Sequence, residues 1–149
     1  MKVIPCGPDD LADWIDLRLQ LWPGDHEEEF FEEARDILAQ PDRFGAWLVR
    51  DEKGGALGFA EASVRSDYVN GTEGSPVLFL EGIYVRETAR RQGVARALVC
   101  AVQAWGIARD CRDFASDAAL ENTLSHALHL ALGFVETERV VYFRKPLED

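Results

Sequence analysis

The sequence predicts an α+β fold, alternating strand and helix in places as an α/β chain does, with a central sheet flanked by helices. Three observations carry that prediction. Residues Phe79–Arg109 open as an apolar strand and close as a helix with one apolar face. Phe44–Arg50 and Ala56–Arg65 are two strand-like runs joined through Asp51-Glu52-Lys53-Gly54-Gly55, a hairpin. Helical spacing of apolar residues appears both before that hairpin and after the central helix.

Taken in order, Lys2–Pro5 reads as a short strand. Gly7-Pro8-Asp9-Asp10 then supplies turn chemistry and acidic residues for a helix N-terminus. Leu11, Trp14, Ile15, Leu17, Leu19, Leu21 and Trp22 make that helix apolar enough to pack, and Pro23-Gly24 stops it. A second helix is expected from about Glu27 to Gln40, with Phe30, Phe31, Ala34, Ile37 and Leu38 inward. It begins in the acidic run Asp25-His26-Glu27-Glu28-Glu29. Carboxylates favour a helix N-terminus, and they also make an anionic rim for a polycation; the two readings are compatible. After the hairpin, Ser66–Pro76 is a polar, glycine-rich loop of the kind that carries binding residues. Phe79, Leu80, Ile83, Tyr84 and Val85 form the central strand. Val94, Ala97, Leu98, Ala101, Val102, Trp105 and Ala108 line the apolar face of the central helix. Asp113–Ala118 is a strand candidate, and Asn122–Leu132 a helix ended by Gly133. Phe134–Val140 and Val141–Lys145 are expected as extended segments. No repeat, linker or low-complexity tract interrupts the chain, and 1–149 reads as one domain.

Composition narrows the function classes. With 47% hydrophobic and 29% charged residues, the chain is of the soluble globular class. No apolar run approaches the roughly 20 residues of a membrane span, and the first residues lack a signal-peptide core. Cys6, Cys100 and Cys111 show neither paired nor metal-ligand spacing and read as reduced thiols in a cytoplasmic protein. A formal net charge of −11 argues against a nucleic-acid surface. It suits a cationic partner, or serves solubility alone.

The most informative stretch is Arg90-Arg91-Gln92-Gly93-Val94-Ala95, between the central strand and helix. A glycine and small residues leave backbone amides uncovered where a helix begins, and the helix dipole adds partial positive charge there. Such a site suits an anion, and two adjacent arginines suit a phosphate. An ordinary strand–loop–helix junction with a solvated arginine pair has the same spacing. The residue identities are more specific. Arg-x-x-Gly-x-Ala after FLEGIYV, with Asn122 and Leu132-Gly133-Phe134 downstream, resembles the acyl-CoA pyrophosphate loop of the Gcn5-related N-acetyltransferases (GNAT). It is neither a Walker loop nor a dinucleotide fingerprint.

A closer resemblance spans essentially the whole chain. Trp14–Trp22, Tyr68–Val85 and Phe114–Phe143 are similar to the single-domain bacterial aminoglycoside 6'-N-acetyltransferases. The resemblance implies a GNAT fold with a mixed, mainly antiparallel sheet. It also implies acetyl transfer from acetyl-CoA to the 6'-amine of an aminoglycoside, and a homodimer, with no metal. Residue by residue, Gly82, Ile83, Tyr84 and Val85 match the stretch that holds the pantetheine arm, and an amide near Val85 matches the oxyanion donor. Arg90, Arg91, Gln92, Gly93, Val94, Ala95 and Arg96 would hold the pyrophosphate. Asn122 matches a cofactor contact, or is a helix N-cap. Asp117 is matched to orienting and deprotonating the substrate ammonium, and Glu81 to substrate binding and a supporting base role. Read from the residues alone, both carboxylates lie close to apolar strands and need a partner, either a cationic substrate or backbone amides. Trp22 and Tyr68 match contacts to the sugar rings, His26 and Glu73 join the same substrate set, and Glu138 matches a contact given by the partner subunit. Where many members of the superfamily carry a tyrosine that protonates the leaving thiolate, this chain has His129, fit for that role or simply packed. Two alternatives remain beside the leading one: an acetyltransferase for another cationic amine, such as a polyamine or peptide N-terminus, and a non-catalytic acyl-CoA-binding module.

Overall fold

A computed structural model describes residues 1–148. Its strands are β1 (Lys2–Pro5), β2 (Phe44–Arg50), β3 (Ala56–Arg65), β4 (Val77–Val85) and β5 (Asp113–Ser116). Its helices are α1 (Leu11–Leu21), α2 (Glu27–Ala39), α3 (Val94–Ile107) and α4 (Thr123–Ala131), with short 3₁₀ turns at Pro8–Asp10 and Glu87–Ala89. The strands form one sheet in sequence order, antiparallel from β1 to β4 and parallel between β4 and β5. The mixed, mainly antiparallel sheet is therefore present.

Both faces of the sheet are covered, which explains why β2 and β3 read as nearly continuous apolar runs. Trp47, Val49, Ala60, Leu78 and Leu80 pack beneath Leu98 and Val102 of α3. Leu48 and Phe59 face the other way, against Trp14, Ile15 and Leu17 of α1 and Phe30 and Ala34 of α2. The sheet is irregular at one point. Glu61 pairs with Gly82 and Ala62 with Leu80, so Glu81 is an extra residue in β4, a β-bulge. Just there β5 ends. Its ladder to β4 runs from Val77–Asp113 to Leu80–Ser116, while β4 continues to Val85. Beyond Leu80, β4 has no paired strand on that side among the described residues.

Several boundaries differ from the sequence expectation, for local reasons. α4 starts at Thr123 because the Asn122 side chain accepts the Ser125 N–H at 3.1 Å, the bond of an N-cap. It ends before Gly133, whose φ of 97° is the left-handed conformation foreseen for a helix stop. β5 stops at Ser116 rather than Ala118. The expected extended segments 134–140 and 141–145 form no strand. Val141, Tyr142 and Phe143 are more than 70% exposed there. Alternating apolar residues supply strand propensity but not a partner, and this segment joins neither the outer edge of β5 nor the free part of β4.

α1 is tied to the sheet by a buried ion pair. Arg18 donates from Nε and Nη2 to Glu61 at 2.7 and 3.1 Å, Trp14 Nε1 donates to the same carboxylate at 2.8 Å, and Arg18 Nη1 reaches Glu33 at 2.7 Å. Burial pushes the Glu61 carboxyl up, against the pull of Arg18 and Trp14. Arg18→Ala leaves that carboxylate buried without its partner and should lower unfolding free energy by about 3–5 kcal/mol in denaturant titrations. Replacing both residues with methionine should recover most of the loss. An Arg18→Ala chain as stable as wild type would show that the pair holds nothing in place.

Candidate active site

The site is built where β4 and β5 part. The ladder places Leu80 beside Ser116, so the next residues on the two strands are Glu81 and Asp117. Two carboxylates thus flank the opening. They differ in their partners. Glu81 accepts two hydrogen bonds from Arg65 Nη2, at 2.6 and 2.7 Å, and one from Ser63 Oγ at 3.3 Å. The Arg65 guanidinium in turn lies 3.5 Å from the centre of the Phe79 ring. Asp117 is exposed, and no ion pair among the described residues involves it. Glu81, expected to need a substrate ammonium or backbone amides, has Arg65 as its partner. Finding it required the β3–β4 register, which sets Arg65, Ser63 and Glu81 on one face.

On the α1–α2 side of this opening is a cleft of about 480 Å³, lined among others by Arg18, Trp22, Glu33, Asp36, Glu61 and Glu81. Trp22 forms its wall and is also packed, edge-on to Phe59 at 6.2 Å and tilted against Phe30 at 6.0 Å. Gly82 permits this, because a Cβ there would stand 2.7 Å from the indole ring. Asp117 and Glu138 line a larger cavity of about 900 Å³ between β5, α4 and the C-terminal tail. His26 is the exposed residue at the N-terminus of α2, Tyr68 is 77% exposed, and Glu73 is exposed with its N–H donated to Asp113 at 3.3 Å. None of these three lines either cavity. The sequence-predicted substrate residues therefore fall into two groups plus three outliers on loops.

At the other end of the exposed β4 edge lies the Arg90–Arg96 loop. Arg91 (φ 64°) and Gly93 (φ 82°) are both left-handed, which bends the chain into α3. The first helical bond is from Ala97 N–H to Gly93 O at 3.0 Å, so the amides of Val94, Ala95 and Arg96 have no partner within the helix. Above Gly93 the space is open; a Cβ there would meet nothing within 4 Å. Arg90 Nε donates to Val85 O at 2.9 Å, Arg96 Nη2 to Ala131 O at 3.3 Å, and Gln92 Nε2 to Thr88 O at 3.3 Å. Arg90 and Arg96 thus brace the loop, while Arg91 is exposed. Ile83, Tyr84 and Val85 continue from Gly82 toward this loop. Val85, four residues from Glu81, stands roughly 13 Å along the strand from the opening. Arg86 donates its N–H to Leu57 O, so by alternation the amides of Ile83 and Val85 are the ones turned to the open edge. The uncovered helix amides and the free strand edge are a fit for a phosphate joined to an extended amide-bearing arm.

A family model for "Acetyltransferase (GNAT) family" matches residues 11–134. The chain belongs to the GNAT family. It is 49% identical over 145 residues to an aminoglycoside N(6')-acetyltransferase type 1 of Acinetobacter baumannii, covering 97% of this chain and 98% of that protein. It is 52% identical over 142 residues to one of Stenotrophomonas maltophilia, covering 95% and 90%. Among solved structures, AAC(6')-Iy in complex with the bisubstrate analogue CoA-S-monomethyl-acetylneamine aligns with a TM-score of 0.92 at 46% identity, over 97% of both chains. Apo AAC(6')-IG of Acinetobacter haemolyticus aligns with a TM-score of 0.94 at 45% identity, over 99% of this chain and 100% of that one.

Within this GNAT chain the residues that sequence reading missed are Arg65, Glu61 and Arg18, all of them placed by register or helix docking, and Ser116. The Ser116 hydroxyl is 2.7 Å from His129 Nε2, and His129 Nδ1 is 2.7 Å from the Ser125 carbonyl. His129 is thus a packed, hydrogen-bonded side chain, half-buried against Phe134. Among the described residues no group of three or more His, Cys, Asp or Glu side chains could hold a metal ion, and no helix is long and apolar enough to cross a membrane.

Gly93→Ala tests the loop. An alanine held at positive φ costs about 1–2 kcal/mol, which favours a loop geometry other than the one that bares the helix amides. Calorimetric affinity for acetyl-CoA should fall, whereas Gly54→Ala, at a hairpin glycine of φ 86°, should carry the same stability cost with affinity intact. Equal affinity in both chains would remove the loop from cofactor binding.

Proposed function

We propose that this protein transfers the acetyl group of acetyl-CoA to the 6'-amino group of aminoglycosides, that it works in the cytoplasm as a homodimer, and that it confers resistance to those antibiotics. The observation that carries this reading is the opening between β4 and β5, where an exposed strand edge meets two carboxylates at the border of an acidic cleft. The relatives named above support the choice of acceptor. So does a net charge of −11, which favours a polycation over a neutral amine.

The phosphates of the donor sit on the amides of Val94, Ala95 and Arg96, with Arg91 free to approach them. Its pantetheine arm extends along the β4 edge from Val85 to Gly82, which brings the thioester to the opening. Asp117 faces the incoming ammonium, orients it and takes its proton, directly or through water. The neutral amine then attacks the carbonyl, and an open-edge amide of β4 near Val85 stabilises the oxyanion. Glu81, already neutralised by Arg65, binds a second polar group of the substrate. Trp22 offers a ring face to a sugar. Asn122 caps α4 through its side-chain oxygen, which leaves its amide nitrogen as a donor toward the cofactor.

The dimer follows from the tail. Val135, Val141, Tyr142 and Phe143 are 73–92% exposed in one chain, beside the cavity that β5 and α4 border. Seating this segment against a second copy buries it and supplies Glu138 to the neighbouring site.

Three outcomes test the proposal. Thiol release from acetyl-CoA should be strong with kanamycin and weak with spermidine; the reverse order would favour a polyamine acceptor, and release with neither a binding module. Asp117→Asn should lower turnover about 10²–10⁴-fold at unchanged acetyl-CoA affinity, and near wild-type activity across the pH range would exclude Asp117. An Asp117→Asn chain mixed with a Glu138→Ala chain under subunit exchange should regain activity, because one site in each heterodimer then carries neither change. No recovery, or a monomer by light scattering, would end the shared-site reading.

A further inference from the structure

The transfer described above leaves the Ser116–His129 pair unused. A backbone carbonyl can only accept, so the 2.7 Å contact between Ser125 O and His129 Nδ1 assigns a hydrogen to Nδ1. In the neutral ring Nε2 is then a lone pair, and the Ser116 hydroxyl at 2.7 Å donates to it. Ser125 Oγ lies 3.3 Å from Nδ1, and the Phe134 ring packs on the imidazole at 5.3 Å between centroids, which fixes its plane. A hydroxyl, an imidazole accepting its proton, and an acceptor holding the far ring nitrogen are the groups, in order, that make a serine nucleophilic.

The position of this pair matters as much as its chemistry. Ser116 is the last paired residue of β5, with its Oγ 3.4 Å from Leu80 O, immediately before the strands part. Ser116 meets α4 through His129, and its neighbour Asp117 lines the same cavity beside α4, across the sheet from the acidic cleft that Glu81 and Trp22 border. The opening therefore has a nucleophile on each side: an amine bound in the acidic cleft, and a hydroxyl built into the sheet. Ser116 and His129 also line the 900 Å³ cavity, which gives water a route to them.

We propose that Ser116 takes the acetyl group when no amine is bound, which makes the protein an acceptor-independent acetyl-CoA hydrolase through an acetyl-Ser116 ester. The proposal rests on the reading that acetyl-CoA lies along the β4 edge. Ser116 Oγ attacks the thioester carbonyl as its proton passes to His129 Nε2. The C–S bond breaks, and the CoA thiolate leaves with the proton from Nε2. Water then attacks the ester, giving a proton to Nε2; the C–O bond breaks, the serine oxygen recovers that proton, and acetic acid is released. The sum is acetyl-CoA and water giving CoA thiol and acetic acid.

The test compares thiol release without acceptor and with kanamycin for the wild-type, Ser116→Ala, Ser116→Cys and His129→Gln chains, each first checked for a cooperative thermal transition. Acceptor-independent release should fall about 10²-fold or more in Ser116→Ala and His129→Gln. Acetyl-labelled cofactor should leave a hydroxylamine-sensitive label on the peptide holding residue 116 in the wild-type and Ser116→Cys chains, and none there in Ser116→Ala. Hydrolysis at the wild-type rate by folded Ser116→Ala would overturn the proposal, since water would then attack the thioester directly; so would a label only on lysine. The kanamycin arm reads the transferase separately. Acetylation of kanamycin without Ser116-dependent hydrolysis removes the serine centre alone, and Ser116-dependent hydrolysis without use of kanamycin removes the aminoglycoside assignment alone.

Discussion

The interaction on which the site depends is one that the sheet does not make. After Leu80 and Ser116, β4 and β5 stop exchanging hydrogen bonds, and the bulge at Glu81 turns β4 at the same point. A fully paired strand has no backbone groups left for a ligand. An unpaired one buried among helices would carry a penalty for each unmet amide and carbonyl. From Gly82 to Val85 alternate backbone groups face that open edge, and of these Val85 O is met by Arg90 Nε at 2.9 Å. The helix start at Val94 likewise leaves amides uncovered, so unpaired backbone stands at both ends of the site.

Charge around the opening is divided rather than simply negative. Glu61 is deep and neutralised by Arg18, and Glu81 is shallower and neutralised by Arg65. Glu33 shares Arg18, which also packs over Trp22 and Phe30 at 5.1 and 4.5 Å. Arg18 thus connects the core, the cleft floor and the aromatic wall, and explains how a cleft rich in carboxylates stays folded without its ligand. Asp117, by contrast, enters none of these pairs.

Most secondary structure was legible because each element carried its own signal. α3 and α4 showed apolar residues every three or four positions, the β2–β3 hairpin had its glycine turn, and Gly93 and Gly133 stood where positive φ is needed. The central strand was bounded too narrowly, since its start at Val77 lies behind Pro76 and a polar loop. The tail was expected to be extended, and it forms no strand, because propensity names a conformation and not a partner. Glu81 was identified, but its partner was not: Arg65 lies sixteen positions away in sequence and is brought beside it by the β3–β4 ladder.

The sequence by itself determined what depends on short stretches of chain. These are the amphipathic helices, the hairpin, the glycine that opens the Arg90–Arg96 loop, and the motif set that assigns the chain to its family. Local geometry and the hydrophobic pattern act within a few residues, so they are written in consecutive positions. Tertiary structure alone decided the parallel β4–β5 ladder and its early end, the bulge that sets Glu81 with Gly82 opposite Glu61, the Arg18–Glu61 and Arg65–Glu81 pairs, and the contact of Ser116 with His129. Each of these joins residues on different elements, and its strength depends on register and burial, quantities that exist only once the chain has folded back on itself.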